Sequence, residues 1–418
     1  MEYKVENLID SVSKKHTFPD DKIIFLNTSD IEKGYVLHNN YSMIDSLPGQ
    51  AKKSIQKGDI LYSEIRPKNE RFAYINFASD DYVVSTKLMV LRNKKPEILN
   101  TKYFYIYITS KKTIDYLQNL AESRSGTFPQ ITFSEVKNMV IDIPTLAVQN
   151  KIVNSIESIN KKIELNKRII ANLEELSQTL FKRWFVDFEF PDENGNPYKT
   201  SGGEMIDSEL GKIPKNWGTS TVKNMSTKVI SGGTPNRKIE DYWINGDIPW
   251  LKTKEINNNI ILKTEEYITE EGLLKSSAKF IEENSTVIAM YGATAGKIGY
   301  VAKTMTTNQA CCAIESDYPV FIYKYFKYNS DYIKTLASGS AQQNLNKKIL
   351  EDLCIVDPDK KVLLLFEEIL NSTIKMMKVK VKENCELVLL RDTLLPKLMS
   401  GEIEIPDDIE VNEDELSI

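Results

Sequence analysis

The chain has 418 residues, enough for two or three domains that each bury a core of ordinary size. Its composition, 41% hydrophobic and 27% charged, is typical of soluble globular proteins, and no apolar run approaches the ~18 residues of a membrane span. A polar N-terminus predicts no signal peptide, and four cysteines without a C-x-x-C pair exclude a disulfide scaffold. We therefore expect a cytoplasmic protein.

The net charge of −5 does not exclude a nucleic-acid partner, because the acidic residues are unevenly distributed. Residues 402–418 hold eight acids and no Lys or Arg, and without those eight the charge of −5 becomes +3. DNA responds to local patches, since charges in solution are screened over about 8 Å. Charge thus permits DNA binding without predicting it, and 402–418 is expected to be a disordered acidic tail.

One order of elements occurs twice, about 213 residues apart. Ser-Gly-Thr-Phe-Pro-Gln at 125–130 precedes an apolar strand at 140–144 and a long amphipathic helix. Ser-Gly-Ser-Ala-Gln-Gln at 338–343 precedes a similar strand at 353–358 and another long helix. This period is far longer than those of solenoids and propellers. It predicts a duplicated unit of domain plus helix, with approximate two-fold symmetry.

Residues 1–144 are predicted to form a mixed α+β domain. Strand-like runs rich in β-branched and aromatic residues occupy 22–26, 59–62 and 82–91. The apolar stretch that begins at 103 and continues to 120 indicates a buried helix, although periodicity alone leaves a strand open.

Residues 145–185 form the clearest predicted helix, a spacer of roughly 50–60 Å with Thr145 as its N-cap. Its apolar positions are spaced alternately by four and three residues, which is the heptad seam of a coiled coil and requires a partner helix. An ordinary bundle helix is the alternative. The seam comprises Ile152, Ile156, Ile159, Ile163, Asn166, Ile170, Leu173, Ser177 and Leu180.

The second long helix, 359–401 with Asp359 at its cap, is the expected partner. The sequence leaves the direction of pairing open, and we expect an antiparallel coiled coil, which would place a globular domain at each end of a fixed rod. Its stripe comprises Phe366, Leu370, Thr373, Met377, Leu387, Leu390 and Leu394, interrupted by Lys380 and Asn384.

Between the helices, a polar Gly/Pro-rich linker is predicted at 186–216 and a second α+β domain at 217–358. The run 248–256 parallels 24–31 in the first domain, and 285–291 parallels 59–65. The two domains thus match in layout while their side chains differ widely, which suggests two recognition domains built on one scaffold.

Catalytic signatures are incomplete. His16 and His38 lack metal-ligand spacing and are predicted to lie on the surface. Asn-Pro-Tyr at 196–198 lacks the second proline of the amino-methyltransferase loop, and no Gly-rich cofactor loop accompanies it. Gly-Ala-Thr-Ala-Gly-Lys at 292–297 has three residues between its glycines instead of four, so a turn between strands is favoured over a phosphate loop.

Taken in order, these elements resemble the DNA-specificity subunit of type I restriction–modification systems over nearly the whole chain. The resemblance is carried by Gly-Lys-Ile-Pro-Lys-Asn-Trp at 211–217, Ser-Gly-Gly-Thr-Pro at 231–235, Asp-Ile-Pro-Trp-Leu at 247–251 and the two Ser-Gly-x-x-x-Gln elements. Pro144 with Gln149 also fits. Two departures stand out: the first domain lacks Gly-Gly-Thr-Pro, and no Gln follows Pro358, so the second helix start is expected to pack differently.

The resemblance implies a non-catalytic subunit with two target-recognition domains, 1–144 and 217–358, that each read half of a bipartite double-stranded DNA target. The helices 145–185 and 359–401 would set the gap. Two methyltransferase subunits with S-adenosylmethionine, and restriction/translocase subunits with ATP and Mg, are the implied partners. No cofactor or metal is expected in this chain.

Base contacts are expected from basic and amide side chains, because Arg and Lys pair with guanine and Asn and Gln with adenine in the major groove. In the first domain the candidates are Arg66, Lys68, Arg71, Lys87, Arg124 and Gln130. In the second domain the candidates are Thr234, Arg237, Lys252, Lys254, Lys297, Asn308, Gln309, Gln343 and Asn344.

Two other functions stay open from the sequence. A self-sufficient methyltransferase would need a cofactor loop and a complete catalytic tetrapeptide, which the sequence does not contain. A coiled-coil scaffold that organises proteins without contacting DNA would be distinguished by a gel shift with and without a methyltransferase partner.

Overall fold

The computed structural model describes residues 1–18, 20–123, 129–338 and 344–406. The candidates Arg124 and Gln343, and positions 407–418 of the acidic tail, lie outside these ranges. The chain forms two compact units: Met1–Lys162 with Leu389–Ile418, and Ile163–Val388. Both units combine helices and sheets, so the predicted α+β class is confirmed.

The first unit contains two four-stranded sheets, in the orders β6-β3-β10-β7 and β2-β11-β8-β9, where β3 and β10 are parallel. Strands β1 and β12 pair, and β4 and β5 form a hairpin. Its strands are β1 (Glu2–Lys4), β2 (Ile9–Ser11), β3 (Lys22–Leu26), β4 (Ile31–Glu32), β5 (Tyr35–Val36), β6 (Tyr41–Met43), β7 (Ala51–Ser54), β8 (Ile60–Ser63), β9 (Phe72–Tyr74), β10 (Tyr82–Ser85), β11 (Leu88–Asn93) and β12 (Val140–Asp142). Its helices are α1 (Thr101–Ile108), α2 (Lys111–Glu122), α3 (Phe133–Lys137) and the start of α4 (Leu146–Phe185).

Strand alternation builds two cores in this unit. Leu61 of β8 and Val90 of β11 are buried with Ile24 and Val84 of the other sheet. Their chain neighbours point the opposite way, so Tyr62 joins the buried residues of the helices instead. Successive residues of a strand face opposite sides of its sheet, so one sheet is covered on both faces.

Two predicted elements of the first unit are each divided in the structure. The run 82–91 is two strands, β10 and β11, in different sheets, because the chain turns at Thr86 and Lys87. The stretch 103–120 is helical, but α1 ends at Ile108 and Ser110 caps the separate helix α2 by accepting from the N–H of Thr113, 3.3 Å away.

The second unit contains sheets in the orders β19-β17-β23-β20 and β16-β24-β21-β22-β18, where β17 and β23 are parallel. Its strands are β13 (Met205–Ser208), β14 (Gly211–Pro214), β15 (Gly218–Thr221), β16 (Lys228–Ser231), β17 (Ile248–Leu251), β18 (Ile260–Ile261), β19 (Glu266–Ile268), β20 (Phe280–Ile281), β21 (Thr286–Ala289), β22 (Ile298–Val301), β23 (Met305–Thr307), β24 (Cys311–Glu315) and β25 (Cys354–Asp357). Its helices are α5 (Glu270–Leu274), α6 (Pro319–Tyr328), α7 (Ser330–Ser338), α8 (Lys347–Glu351) and most of α9 (Lys360–Ser400).

The strand orders confirm the predicted duplication. The sheet β6-β3-β10-β7 of the first unit corresponds to β19-β17-β23-β20 of the second, with a parallel central pair in each. The sheet β2-β11-β8-β9 corresponds to β16-β24-β21-β22, and the pair β1–β12 to β15–β25. Thr132 and Asn346 even cap equivalent short helices, α3 and α8.

The segment 186–216, predicted to be a polar linker, is folded onto the second unit. It contains the hairpin β13–β14 and buries Phe190 and Ile213 in the main core. The Phe190 ring stacks between Trp217 and Tyr198, with centroids 4.7 Å from each. Gly and Pro here shape tight turns around an aromatic cluster, so this part of the chain is not a free connection.

The two long helices pair antiparallel, as predicted. Within the second unit, Asn166 of α4 contacts Asn384 of α9, and Phe181, further along α4, contacts Phe366, earlier in α9. Within the first unit, Asn160 accepts from Arg391, 3.1 Å away, and Leu398 is buried in the cluster that contains Ile152, Ile156 and their neighbours. The contacts in each unit run in opposite chain directions on the two helices.

Most predicted seam residues lie in this interface. Fully buried ones are Ile152, Ile156, Ile163, Asn166, Ser177, Phe366, Leu370 and Met377, and half-buried ones are Ile159, Ile170, Leu173, Leu180, Thr373, Lys380, Asn384, Leu387 and Leu394. Leu390 was assigned wrongly, because its side chain is 47% exposed. The seam continues from Leu387 by four residues, to Arg391, instead of by three.

The two long helices are anchored by different groups. Gln149, fully buried in the first turn of α4, accepts from the N–H of Asn100, 2.8 Å away, and donates to the carbonyls of Ile98 and Pro144. In the second unit, the carboxylate of Glu367 accepts from the N–H groups of Val320 and Phe321 at the start of α6. Glu367 stands about one turn further into its helix than Gln149, so the second helix start does pack differently.

Candidate nucleic-acid interface

The carboxyl ends of the parallel strands β17 and β23 bring candidate residues of the second unit together. The N–H of Asn308 donates to the carbonyl of Leu251, 3.0 Å away, so Asn308 and Gln309 lie beside Lys252. The N–H of Gly233 donates to the carbonyl of Thr307, 2.9 Å away, and the Thr234 hydroxyl donates to the Gln309 side chain. Thr234, Lys252, Asn308 and Gln309 therefore share one edge of the sheet.

The Gly-Gly-Thr-Pro element has a structural requirement for its glycines. A Cβ on Gly232 would lie 2.1 Å from Thr307, and one on Gly233 would lie 2.2 Å from Ser277. The carbonyl of Gly233 also accepts from the indole N–H of Trp250, 2.9 Å away. Only a residue without a side chain permits this approach, which places Thr234 on Gln309.

Arg237 lies on a pair of tryptophans. Its guanidinium is 3.8 Å from the ring centroid of Trp243 and 4.7 Å from that of Trp250, and the two rings meet edge to face at 85°. Its Nη1 donates to the carboxylate of Glu266, 2.5 Å away. Cation–π contact and an ion pair together fix the direction of this arginine.

Lys252 binds two adjacent acids of this surface, and Lys254 binds one of them. Nζ of Lys252 lies 3.0 Å from the carboxylate of Glu265 and 2.5 Å from that of Glu266, and Lys254 lies 2.5 Å from Glu265. Hydrogen bonds from Lys254 and Lys252 hold the pKa of Glu265 below its ordinary value. Burial opposes ionisation of Glu266, but hydrogen bonds from Lys252 and Arg237 outweigh it and lower its pKa as well.

Lys297 and Asn344 lie near the turn between β21 and β22, which is the turn that the sequence predicts in place of a phosphate loop. Nζ of Lys297 donates to Oδ1 of Asn257, 3.1 Å away. The N–H of Leu345 donates to the carbonyl of Met290, 2.8 Å away, so Asn344 is held beside the start of the turn.

In the first unit, Arg66, Lys87 and Gln130 gather around Glu64. The N–H of Glu64 donates to the carbonyl of Lys87, 3.0 Å away, and an isolated β-bridge joins Ile65 to Gln130. Nζ of Lys87 lies 3.4 Å from the Gln130 side-chain oxygen and 3.8 Å from the Glu64 carboxylate. The N–H of Arg66 donates to the backbone just before Gln130, at a distance of 3.1 Å.

Lys68 and Arg71 make their contacts elsewhere. The N–H of Lys68 donates to the Gln118 side chain, 3.1 Å away, and its Nζ lies 3.9 Å from Asp115. Arg71 lines a shallow depression together with Ser29, Ile31, Glu32 and Asn69.

The clusters of the two units occupy the same position in the duplicated fold. The bond from the Glu64 N–H to Lys87 in the first unit corresponds to the bond from the Met290 N–H to Ala310 in the second. The bond from the Ile131 N–H to Glu64 likewise corresponds to that from Leu345 to Met290. Equivalent backbone frames therefore present different side chains.

Sequence reasoning missed several residues at these clusters. Glu64, Glu265 and Glu266 were overlooked because acids are not the residue types expected at a DNA surface. Lys53 was overlooked because it looks like a solvated lysine. Its Nζ is instead held by the carbonyls of Thr86 and Leu88, 3.0 and 2.8 Å away, on either side of Lys87, and burial lowers its pKa.

His16, predicted to lie on the surface, is buried, with Nε2 3.1 Å from the carbonyl of Asp80, whereas His38 lies 3.4 Å from Asp30. Across the ranges that the structure describes, no three His, Cys, Asp or Glu side chains are grouped so as to hold a metal ion. Over the same part of the chain, no helix has the length and apolar character required to cross a lipid bilayer.

Comparison with known proteins identifies the family. The family model "Type I restriction modification DNA specificity domain" matches twice, at residues 9–175 and 214–381. The HindI specificity subunit of Haemophilus influenzae is 31% identical over 96% of this chain and 99% of its own length. The MjaIX specificity subunit of Methanocaldococcus jannaschii is 26% identical over 73% of this chain and 70% of its own.

A solved structure supports the same fold. The type I restriction–modification S subunit from M. genitalium covers 98% of this chain and 96% of its own, with a TM-score of 0.54 at 16% identity. The duplicated architecture, the two family matches and the full-length relative agree. The chain belongs to the type I restriction–modification DNA-specificity family.

Proposed function

We propose that each of the two units reads one half of a bipartite double-stranded DNA sequence, through the polar cluster at the ends of its central strands. The observation that carries this proposal is that equivalent frames in the two units present unlike side chains, around Lys87 in one and around Gln309 in the other. Base edges are distinguished by the donors and acceptors opposite them, so different clusters select different half-sites.

As a specificity subunit, the chain supplies recognition, and the covalent steps belong to other subunits. Specificity subunits of type I systems bind DNA and work in complexes with methyltransferase and restriction subunits. We assign two methyltransferase copies to this complex, one for each half-site, with S-adenosylmethionine. ATP and Mg act in the restriction subunits. A complex that modifies chromosomal DNA in this way works in the cytoplasm.

The antiparallel helices α4 and α9 serve as the spacer between half-sites. Each base pair adds about 3.4 Å of rise and about a tenth of a turn, so recognition of two half-sites requires a fixed separation and rotation. A paired helix is stiff because its backbone hydrogen bonds lie within it and its seam is packed by the partner.

We assign base contacts to Arg66, Lys87 and Gln130 in the first unit, and to Thr234, Arg237, Lys252, Lys254, Lys297, Asn308, Gln309 and Asn344 in the second. Lys68 is paired with Asp115 and Arg71 lines a depression beside Asn69, and we assign both to phosphate contacts. Phosphate contacts position a protein on the duplex without selecting a sequence. Arg124 and Gln343 stay predicted contacts.

Methylation mapping of a host that expresses the complete system tests the function. We expect modified adenines in a split motif whose halves are separated by a fixed, non-specific gap. Exchange of residues 217–370, which keeps Glu367 with its domain, for those of a relative should change one half of the motif and leave the other half and the gap unchanged. A contiguous motif, or a simultaneous change of both halves, would contradict the proposal.

A further inference from the structure

Three of the four basic candidates of the second unit are paired with acids inside the protein. Arg237, Lys252 and Lys254 are bound to two adjacent acids, Glu265 and Glu266, through contacts of 2.5 to 3.0 Å. The carboxylate of Glu255 accepts from the N–H groups of Lys252 and Glu265, so three cations and three carboxylates leave no net local charge at a surface that is expected to meet a polyanion. This compensation requires an explanation, because it weakens attraction to phosphates.

The two acids are built into the frame of the sheet. Glu266 begins β19 and pairs in register with Trp250 of β17. The N–H of Glu265 donates to the carboxylate of Glu255, 2.7 Å away, and the N–H of Lys252 donates to the same carboxylate at 3.1 Å. Strand pairing therefore determines the position of Glu266, and the bond from its own N–H to the Glu255 carboxylate determines that of Glu265. The basic side chains come to these two acids.

Glu266 also determines how Arg237 is presented. The guanidinium carbon lies 3.8 Å from the centroid of the Trp243 ring, and Nη1 is bound to Glu266. A guanidinium has five donors, so an edge remains for a second partner. The Arg237 side chain is 50% exposed, which leaves that edge accessible to an acceptor outside the protein. Arginine recognises guanine through such a planar edge.

We propose that Glu265 and Glu266 determine the specificity of the second unit. They suppress indiscriminate phosphate binding by the three basic side chains, and Glu266 positions the Arg237 guanidinium on Trp243 for contact with a single base. Specificity depends on the difference between the affinities for target and non-target DNA, so a group that weakens non-target binding increases it. This inference rests on the proposed DNA-reading function.

The test uses the full-length chain assembled with its methyltransferase partner. Affinity is measured for a duplex that contains the mapped target and for an unrelated duplex, over a range of salt concentrations. The variants are Glu266→Gln and Glu265→Gln. Glu271→Gln is the matched control, because it removes an exposed carboxylate on α5 that is paired with Lys275, 2.7 Å away. All three variants change the charge by the same amount.

For Glu266→Gln we expect tighter binding to the unrelated duplex, with a log–log salt dependence steeper by about one unit, because one more cation becomes available to phosphate. The ratio of target to non-target affinity should fall by about tenfold or more, within the range of one base contact. Methylation mapping should show one relaxed position in a single half-site. Glu265→Gln should change the salt dependence with less effect on the motif, and Glu271→Gln should change neither.

Arg237→Lys provides a second, independent variant. Lysine keeps the charge beside Glu266 but loses the planar donor edge. It should relax the same motif position as Glu266→Gln without raising affinity for the unrelated duplex. Glu266→Asp, which retains the carboxylate, should restore part of the discrimination.

The inference is overturned if Glu266→Gln leaves the affinity ratio and the motif unchanged, or lowers affinity for both duplexes equally as a purely structural defect would. These outcomes leave the proposed function intact, provided that the wild-type complex distinguishes the two duplexes. If the wild type itself does not distinguish them, both the proposed function and this inference are wrong.

Discussion

Asn166 donates a hydrogen bond from Nδ2 to Oδ1 of Asn384, 3.0 Å away, across the seam of the two long helices. The Asn166 side chain is fully buried, and its own Oδ1 has no hydrogen-bond partner among the residues that the structure describes. A buried amide pair is less stabilising than two apolar side chains, but it favours a single register, because any axial shift leaves both amides unpaired.

Replacing one member of this pair should be worse than replacing both. Asn166→Leu leaves the Asn384 amide facing an apolar side chain, so we expect it to lower the free energy of unfolding by about 1–3 kcal/mol. Asn166→Leu with Asn384→Leu should recover that loss or exceed the wild-type stability. Urea denaturation followed by circular dichroism measures both.

In the double variant, methylation mapping should also report more than one length for the gap between half-sites, because the amides no longer fix a single register. Leu176→Ala, at an exposed site on α4, is the control and should alter neither stability nor gap. If the single and double variants are equally stable, the two amides do not act as a pair.

Lengthening the spacer should change the recognised sequence. Four residues inserted in α4 add about 6 Å of helix and shift the seam relative to α9. We expect the gap between half-sites to change or recognition to be lost, because six ångströms correspond to nearly two base pairs. Methylation mapping reports the gap directly, and an unchanged gap would show that α4 does not set it.

The stability of the second unit should depend on pH through Glu367. Burial raises the pKa of this carboxyl from 4.5 to about 7, although its N–H donors oppose the shift. The folded state therefore binds the proton more tightly than the unfolded state does. The contribution of Glu367 to the free energy of unfolding is present in full below pH 4.5 and is lost as pH rises to about 7.

Glu367→Gln removes this dependence. The free energy of unfolding of the variant minus that of the wild type should rise between pH 5 and pH 7, by at most about 3 kcal/mol, and then level off. Urea titrations at several pH values measure the difference. Glu368→Gln changes the same charge at the exposed neighbouring position and should give a flat difference. If the difference for Glu367→Gln is also independent of pH, titration of Glu367 does not contribute to stability.

Gly233→Ala should disable the second recognition surface. The added Cβ would lie 2.2 Å from Ser277 Oγ and 2.4 Å from its backbone carbon, so the chain must move. We expect the free energy of unfolding to fall by about 1–3 kcal/mol. Recognition of the half-site read by the second unit should weaken, and recognition of the other half-site should not change. Gly218→Ala, whose Cβ would lie at an ordinary contact distance of 3.8 Å from Asp357, is the control. Equal effects of the two substitutions would argue against the packing explanation.

The long helices and the duplication could be predicted because their signals are periodic and repeated. A seam such as Ile152, Ile156 and Ile163 is defined by spacing alone. The division of 82–91 could not be predicted, because the turn at Thr86 and Lys87 contains neither Gly nor Pro. The register near Leu390 was also hidden, since Arg391 gives no apolar signal although it occupies the seam.

The candidate surface was only half predictable. Basic and amide residues such as Arg237 and Gln309 were identified by type, but Glu265 and Glu266 become meaningful only when strand pairing brings them to Lys252. The packing of 186–216 was missed for a similar reason, because Gly and Pro dominate its composition while Phe190 determines its contacts. Long-range neighbours decide such cases, and local sequence does not contain them.

The unlike anchors Gln149 and Glu367 restrict how such proteins can diversify by exchanging parts. Each anchor matches the backbone of one short helix, α1 or α6, and stands at a different depth in its own long helix. A domain transplanted without its own anchor would face an anchor side chain whose length and position do not match the backbone N–H groups of that domain. Viable recombination junctions should therefore lie beyond the opening turns of α4 and α9, so that each recognition domain and its anchor residue come from the same parent protein.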